Sequence, residues 1–197
     1  MDKKINYSFP FFGPFIMKVK LSDEEVKKLK KLCSKNKKKD VRNTLAGHLD
    51  DEYSIDKHEY QKIVAPYLDA FREGHARFYT LQIKPLATTS VWVNYMKAGD
   101  YNPTHIHTGC EFSSVLYTSI PKSLKREAKN HIANSSVPGS ISFTAFINHS
   151  PSHFGSVKYF PEEGDFFIFP FDVNHEVFPF KSKGTRISIA ANFVQRR

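Results

Sequence analysis

From about Phe78 to the C-terminus the sequence is a succession of short runs rich in β-branched and aromatic residues. The runs TLQIKPLATTSVWVNYM, FSSVLYTSI, ISFTAFI, DFFIFPF and RISIAANF are each closed by a cluster of Gly, Pro, Asn or Ser. A chain punctuated this often has no room for long helices, and its natural solution is an antiparallel sandwich or barrel in which each cluster turns the chain back. The N-terminal part has a different period. Ser22 and Glu25 form a capping box, and Val26, Leu29 and Leu32 or Cys33 then recur at helical spacing, so a helix is expected from Ser22 to about Asn36. A polar loop containing NTLAGHLDDEYS follows. A second helix is expected to start near Asp56, with Ile63, Val64, Tyr67, Leu68 and Phe71 on one face and Pro66 as a site of kinking. The segment Lys122 to Pro138 is compatible with a short helix over KSLKREAKNHIA or with a loop, and SSVPGS reads as loop. The expected organisation is one domain over residues 1–197, with about 1–80 as helical support and about 81–197 as a mainly β core.

A chain of 197 residues can bury a core without disulfides. Cys33 and Cys110 are the only cysteines and lack a C-x-x-C spacing, which fits reduced thiols and a cytoplasmic location. The apolar N-terminal residues are interrupted by Pro10, Gly13 and Pro14, so neither a membrane span nor a cleavable leader is expected. The net charge of +9 invites a nucleic-acid reading. Much of it, however, falls in KKLKKLCSKNKKK, which reads better as the solvated face and end of one helix, so nucleic acid is not the expected partner. An anionic substrate remains compatible with the charge.

The chemistry-bearing stretch is THIHTGCEF. On a strand, residues i and i+2 point to one side, so His105 and His107 would present both imidazoles to one face, a metal-ligand arrangement. A surface pair or a hydrogen-bonded core pair would read the same in isolation. Upstream, Asn94, Gly99 and His105 suit a strand, a tight turn and a second strand. Downstream, GDFFIFPFDVNHEVFPF brings a third histidine, His175, and Arg186 follows in RIS.

With NYMKAGDYNPTHIH, SSVLY, GDFFIFPFDVNHEVFPF and RISIAANF in this order, the part from about Val91 to Phe193 resembles the small iron(II) and 2-oxoglutarate-dependent oxygenases with an H-x-H motif. The resemblance implies a double-stranded β-helix, a jelly-roll barrel of two antiparallel sheets with the N-terminal helices packed outside. It implies Fe(II) as cofactor with 2-oxoglutarate and O2 as cosubstrates. It gives His105 and His175 the roles of iron ligands and Arg186 that of the cation receiving the distal carboxylate of 2-oxoglutarate, with Ser188 adding a hydroxyl. Asn94 and Tyr117 match positions that contact the cosubstrate. The departure is His107, which occupies the slot of the usual carboxylate. Three arrangements are open: His107 completes a three-histidine site, Glu111 swings in, or His107 stands behind an altered site. The first is preferred because H-x-H recurs in the subgroup, and neutral imidazole is a good iron ligand.

A cupin-like metal protein is the alternative. Gly99, His105, His107 and Glu111, followed by Gly164, Pro170 and His175, approach its motifs in the same barrel, and such a protein would not need Arg186. For the oxygenase, hydroxylation is the expected outcome, with N-demethylation as the alternative. The primary substrate is expected to be a peptide side chain or a small molecule, and a homodimer is left open. His48, His58, His75, His131, His149 and His153 lack a paired spacing and are read as surface or core residues, and Cys110 as a neighbour of the site that is open to oxidation but has no feature of a nucleophile.

Overall fold

The computed structural model describes residues 13–35, 39–133, 136–145 and 155–196. After an edge strand β1 (Met17–Lys20), helix α1 (Asp23–Lys35) begins at the expected capping box. Glu25 N–H donates to Ser22 Oγ at 3.3 Å, and Ser22 N–H donates back to Glu25 Oε2 at 2.9 Å. A single 3-10 turn (Arg42–Thr44) leads to the short strand β2 (Glu52–Ser54). Helix α2 (Lys57–Tyr79) is capped by Asp56, which accepts from the backbone N–H groups of His58 and Glu59, and it runs on through Pro66. Its stop is Thr80, in the left-handed region at φ 57, so the helix reaches just past Phe78, where the sequence pattern already turns towards strand.

The remaining strands are β3 (Leu86–Met96), β4 (Asn102–His105), β5 (Phe112–Ser119), β6 (Ile141–Thr144), β7 (Ser156–Tyr159), β8 (Asp165–Pro170), β9 (Asn174–Val177) and β10 (Arg186–Gln195). KSLKREAK forms helix α3 (Lys122–Lys129) between β5 and β6. Of ISFTAFI, only the first part is strand β6; Phe146 and Ile147 lie outside the described residues, as do His149 and His153.

The strands form a six-stranded sheet, β1-β8-β5-β10-β3-β2, and a four-stranded sheet, β4-β9-β6-β7, with antiparallel pairing throughout. From β3 onward the chain passes back and forth between them, staying in the smaller sheet only for the consecutive strands β6 and β7, and this winding makes a double-stranded β-helix, as the resemblance implies. Alternate residues divide two cores. On the outer face of the larger sheet, Val91, Val93, Leu116, Ile168, Ile189 and Phe193 pack against Val26 and Leu29 of α1 and Tyr60, Val64, Leu68 and Phe71 of α2. Between the sheets, Met96, Val115, Tyr117, Phe167 and Phe169 meet Ile141, Phe143 and Val177. Removing large apolar side chains from water on both faces is what holds the sheet between the helices and the barrel interior. Lys27, Lys28, Lys30 and Lys31 are exposed on α1, the solvated face expected of the lysine run. Among the described residues no helix is long and apolar enough to cross a membrane.

Candidate functional site

His105 ends β4 and pairs directly with His175 of β9, 70 residues later in the sequence. His107 does not share the strand, because β4 stops at His105. Instead its backbone N–H donates to the carbonyl of Phe171 at 3.0 Å, and this bond folds the imidazole back towards the other two. One ring nitrogen from each of His105, His107 and His175 lies within 4.8 Å of the others, and the Nε2 atoms of His107 and His175 are 3.2 Å apart.

Two local contacts set the tautomers. His105 Nδ1 lies 2.7 Å from the carbonyl of Pro103, and His175 Nδ1 lies 2.9 Å from that of Val173, each two residues upstream. A carbonyl only accepts, so Nδ1 carries the proton and Nε2 keeps its lone pair for the centre of the cluster. Burial lowers the pKa of all three rings. For His107 it falls to about 4, helped by His105, and for His175 to about 3, helped by both neighbours. The trio is therefore neutral at physiological pH, the state a divalent cation requires. Among the described residues this is the one cluster of three or more such side chains that could hold a metal, and no carboxylate belongs to it. Glu111 is engaged elsewhere: its carboxylate accepts from Gln195, from the backbone N–H and from Nε2 at 3.0 Å.

A cavity of about 530 Å³ opens over the triad and is lined by Asn94, Arg186 and Ser188 on the larger sheet. The register explains the polar wall. Glu52, Asn94, Ser188 and Tyr117 are successive cross-strand partners on β2, β3, β10 and β5, so they form one row on the inner face. Glu52 Oε2, Asn94 Oδ1, Ser188 Oγ and Tyr117 OH are all buried without a hydrogen-bond partner. Arg186 is only 1% exposed. Its Nη1 donates to the carbonyl of Gly139 at 3.0 Å, its Nε has no partner, and its Cζ lies 5.2 Å from the ring of Tyr117. Burial lowers the guanidinium's pKa and raises that of the Tyr117 hydroxyl to about 12. Tyr117 stands against Arg186 and is not itself on the cavity wall. A buried cation without a carboxylate partner, flanked by unsatisfied hydroxyl and amide groups, has the chemistry to receive an anion.

Residues 90–192, more than half of the chain, match the family model described as "Putative 2OG-Fe(II) oxygenase". The chain belongs to this family of 2OG-Fe(II) oxygenases. It is an oxidoreductase that uses Fe(II), 2-oxoglutarate and O2. No curated protein sequence matches it. Solved structures similar to this oxygenase include a Pseudomonas putida prolyl-4-hydroxylase (16% identity, 92% of this chain and 93% of that one, TM-score 0.59). A Trichoplax adhaerens prolyl hydroxylase in complex with a hypoxia inducible factor peptide fragment is also similar (14% identity, 93% and 84%, TM-score 0.58). So is the non-heme alpha ketoglutarate dependent epimerase SnoN of nogalamycin biosynthesis (12% identity, 91% and 78%, TM-score 0.61). At these identities the likeness is one of fold.

All seven residues singled out in the sequence thus lie at or directly behind one cavity of this oxygenase. Other residues on its wall, among them Gly47, Glu52, Trp92 and Asn102, were not singled out as site residues. The first two fall in what reads as a polar loop, and Asn102 looks like turn chemistry beside Pro103. Trp92 alone could have been found, since alternation puts it on the face of Asn94.

Proposed function

We propose that this oxygenase holds Fe(II) through His105, His107 and His175 and binds 2-oxoglutarate through Arg186, with Ser188 and Asn94 contacting the cosubstrate and Tyr117 bracing the guanidinium. The observation that carries the reading is the pairing, in one cavity, of three neutral imidazoles with a fully buried, unpaired arginine. When bound, the iron and its cosubstrate supply oxidising power, releasing succinate and carbon dioxide. The chain's own residues do the positioning. Pro103 and Val173 hold two imidazoles in the tautomer that offers Nε2 to the metal. Arg186, held by Gly139 and backed by the Tyr117 ring, fixes the far carboxylate by a charge-assisted contact. Phe169 and Phe143, packed against His175, limit water at the centre.

The reaction we assign is hydroxylation, and the first substrate class is a peptide side chain, as the peptide-acting prolyl hydroxylases of like fold suggest, with a small molecule second. Cys33 and Cys110 are both free thiols, which fits a reducing, cytoplasmic setting. Anaerobic titration of the Fe(II)-loaded protein with 2-oxoglutarate tests the ligand assignment. A visible charge-transfer band that is lost in His105→Ala and Arg186→Ala supports it. Metal binding without that band would move the chain to the cupin-like reading, in which the triad serves a different cosubstrate.

A further inference from the structure

The cavity follows the row to Glu52 on the edge strand β2, and it is also lined there by Asn102, at the start of β4, and by residues of the 39–47 segment. Glu52 is 2% exposed, and no side chain of the described residues donates to its Oε2; Asn102 Oδ1 is buried and equally without a donor. The two residues converge. A Cβ added at Gly47 would come within 2.5 Å of Asn102 Oδ1 and 3.0 Å of Glu52 Oε1, so both acceptors face the same backbone, and glycine is what lets that backbone close over them. Arg42, whose charge acts on Glu52, is hydrogen-bonded elsewhere: it forks onto Asp40 through Nε and Nη2, both residues being exposed. Lys39 and Lys57 also line the cavity, and both are exposed. Burial has the effect expected of a desolvated acid, raising the carboxyl of Glu52 to about 7; the charge of Arg42 pulls against the rise, and Asp40 and Asp100 add to it.

We infer that Glu52 and Asn102 form the recognition site for the primary substrate and that this substrate presents a cationic nitrogen donor, a guanidinium or an ammonium, to the pair. Two buried acceptors, one of them able to carry charge, are satisfied together by a group with several N–H donors and a positive charge, whereas an anion or an apolar group would leave both unpaired. The path to the chemistry runs over Trp92. This residue is the next inward-facing position from Asn94 on β3, it lines the same cavity, and its ring lies 5.9 Å from that of His107. A substrate held by its cation at Glu52 therefore passes its carbon chain along the indole towards the triad, where the oxygenase reading requires the oxidised carbon to sit. The inference rests on that reading for the direction of the substrate, and on the unpaired Glu52 for its chemistry.

Trp92 is the chain's single tryptophan, so its fluorescence reports occupancy without turnover. The Fe(II)-loaded protein, with and without 2-oxoglutarate and under anaerobic conditions, is titrated with agmatine, with acetyl-Gly-Arg-Gly-amide and acetyl-Gly-Lys-Gly-amide, and with the citrulline and norleucine peptides as neutral counterparts. The expected result is that at least one cationic probe binds about tenfold or more tightly than its neutral counterpart. In Glu52→Gln that preference should fall to near unity. A preference for the peptides identifies a protein substrate, and one for agmatine a free small molecule. A variant that merely misfolds would lose both probes alike, so the ratio isolates the carboxylate. Equal binding of charged and neutral probes, no binding of any of them, or a preference unchanged in Glu52→Gln would overturn the inference. Absence of the 2-oxoglutarate charge-transfer band would instead count against the cosubstrate assignment, and the probe ratio would still decide this one.

Discussion

Replacing Arg186 by Met deletes the guanidinium while leaving an apolar side chain of comparable length in its place. In the free protein Arg186 is fully buried and is held by one carbonyl, that of Gly139, and by the face of Tyr117. That is poor compensation for a desolvated charge. Exchanging even a paired buried charge for a well-packed apolar residue is commonly neutral or stabilising by about 1–4 kcal/mol, so Arg186→Met should fold at least as stably as the parent when 2-oxoglutarate is absent. With the dicarboxylate bound the sign reverses. Removing one partner of a buried, charge-assisted pair costs about 3–5 kcal/mol. At about 1.4 kcal/mol per tenfold, this amounts to between about a hundredfold and a few thousandfold in Kd for 2-oxoglutarate. The assay is paired: anaerobic titration of the iron-loaded proteins with 2-oxoglutarate, and thermal melting with and without it. The parent should gain Tm on adding 2-oxoglutarate and the variant should not. A variant that melts well below the parent in the absence of 2-oxoglutarate, or one that keeps its affinity within about threefold, would refute the reasoning. The first result would make Arg186 a structural residue, and the second would place the carboxylate elsewhere.

Three other outcomes follow from the geometry. His107→Ala should abolish tight Fe(II) binding, whereas Glu111→Ala should keep it and lose about 1–3 kcal/mol of stability, because it strips the Gln195 backbone N–H and Nε2 of their acceptor; metal titration and urea unfolding of the two variants would expose the opposite pattern. Burial pushes the Glu52 carboxyl up from an ordinary 4.5 to about 7 in the folded chain, so the unfolded state gives up its proton first and stability should fall as pH rises from about 4.5 through 7. Melting curves at pH 5 and pH 8 should therefore converge in Glu52→Gln relative to the parent, and an unchanged difference would mean that the carboxyl is not desolvated as described. Ser22→Ala removes the hydroxyl that receives Glu25 N–H, and should cost about 1 kcal/mol by urea denaturation.

Local chemistry was legible in the sequence because its causes are local. The Ser22–Glu25 box and the Asp56 cap satisfy N–H groups three residues away or fewer, and α1 and α2 start where these residues say. The strands β3, β5, β8 and β10 are long and apolar enough to announce themselves, and the order of the histidine and arginine blocks was sufficient to indicate the oxygenase family. Short strands were not legible. β1 follows a proline-rich stretch, and β2 is three residues within a polar loop, held in place by β3 and by little of its own propensity. The same division runs through the site. His105 and His107 are close in any conformation of THIHTGCEF, but the sequence pattern put both on one strand, and it is the Phe171 carbonyl that turns His107 inward after the strand has ended. Side-chain alternation indicated that Arg186 and Ser188 share a face. That Ser188 faces Asn94 and Tyr117, that Asn94 faces Glu52, and that His105 faces His175 are facts of register between strands far apart in the chain, decided by how the two sheets close on one another. The barrel, its first two helices and the iron chemistry of the family were readable from the order of residues along the chain; which polar groups are buried without partners emerged with the closed fold, because desolvation belongs to the cavity and to no residue alone.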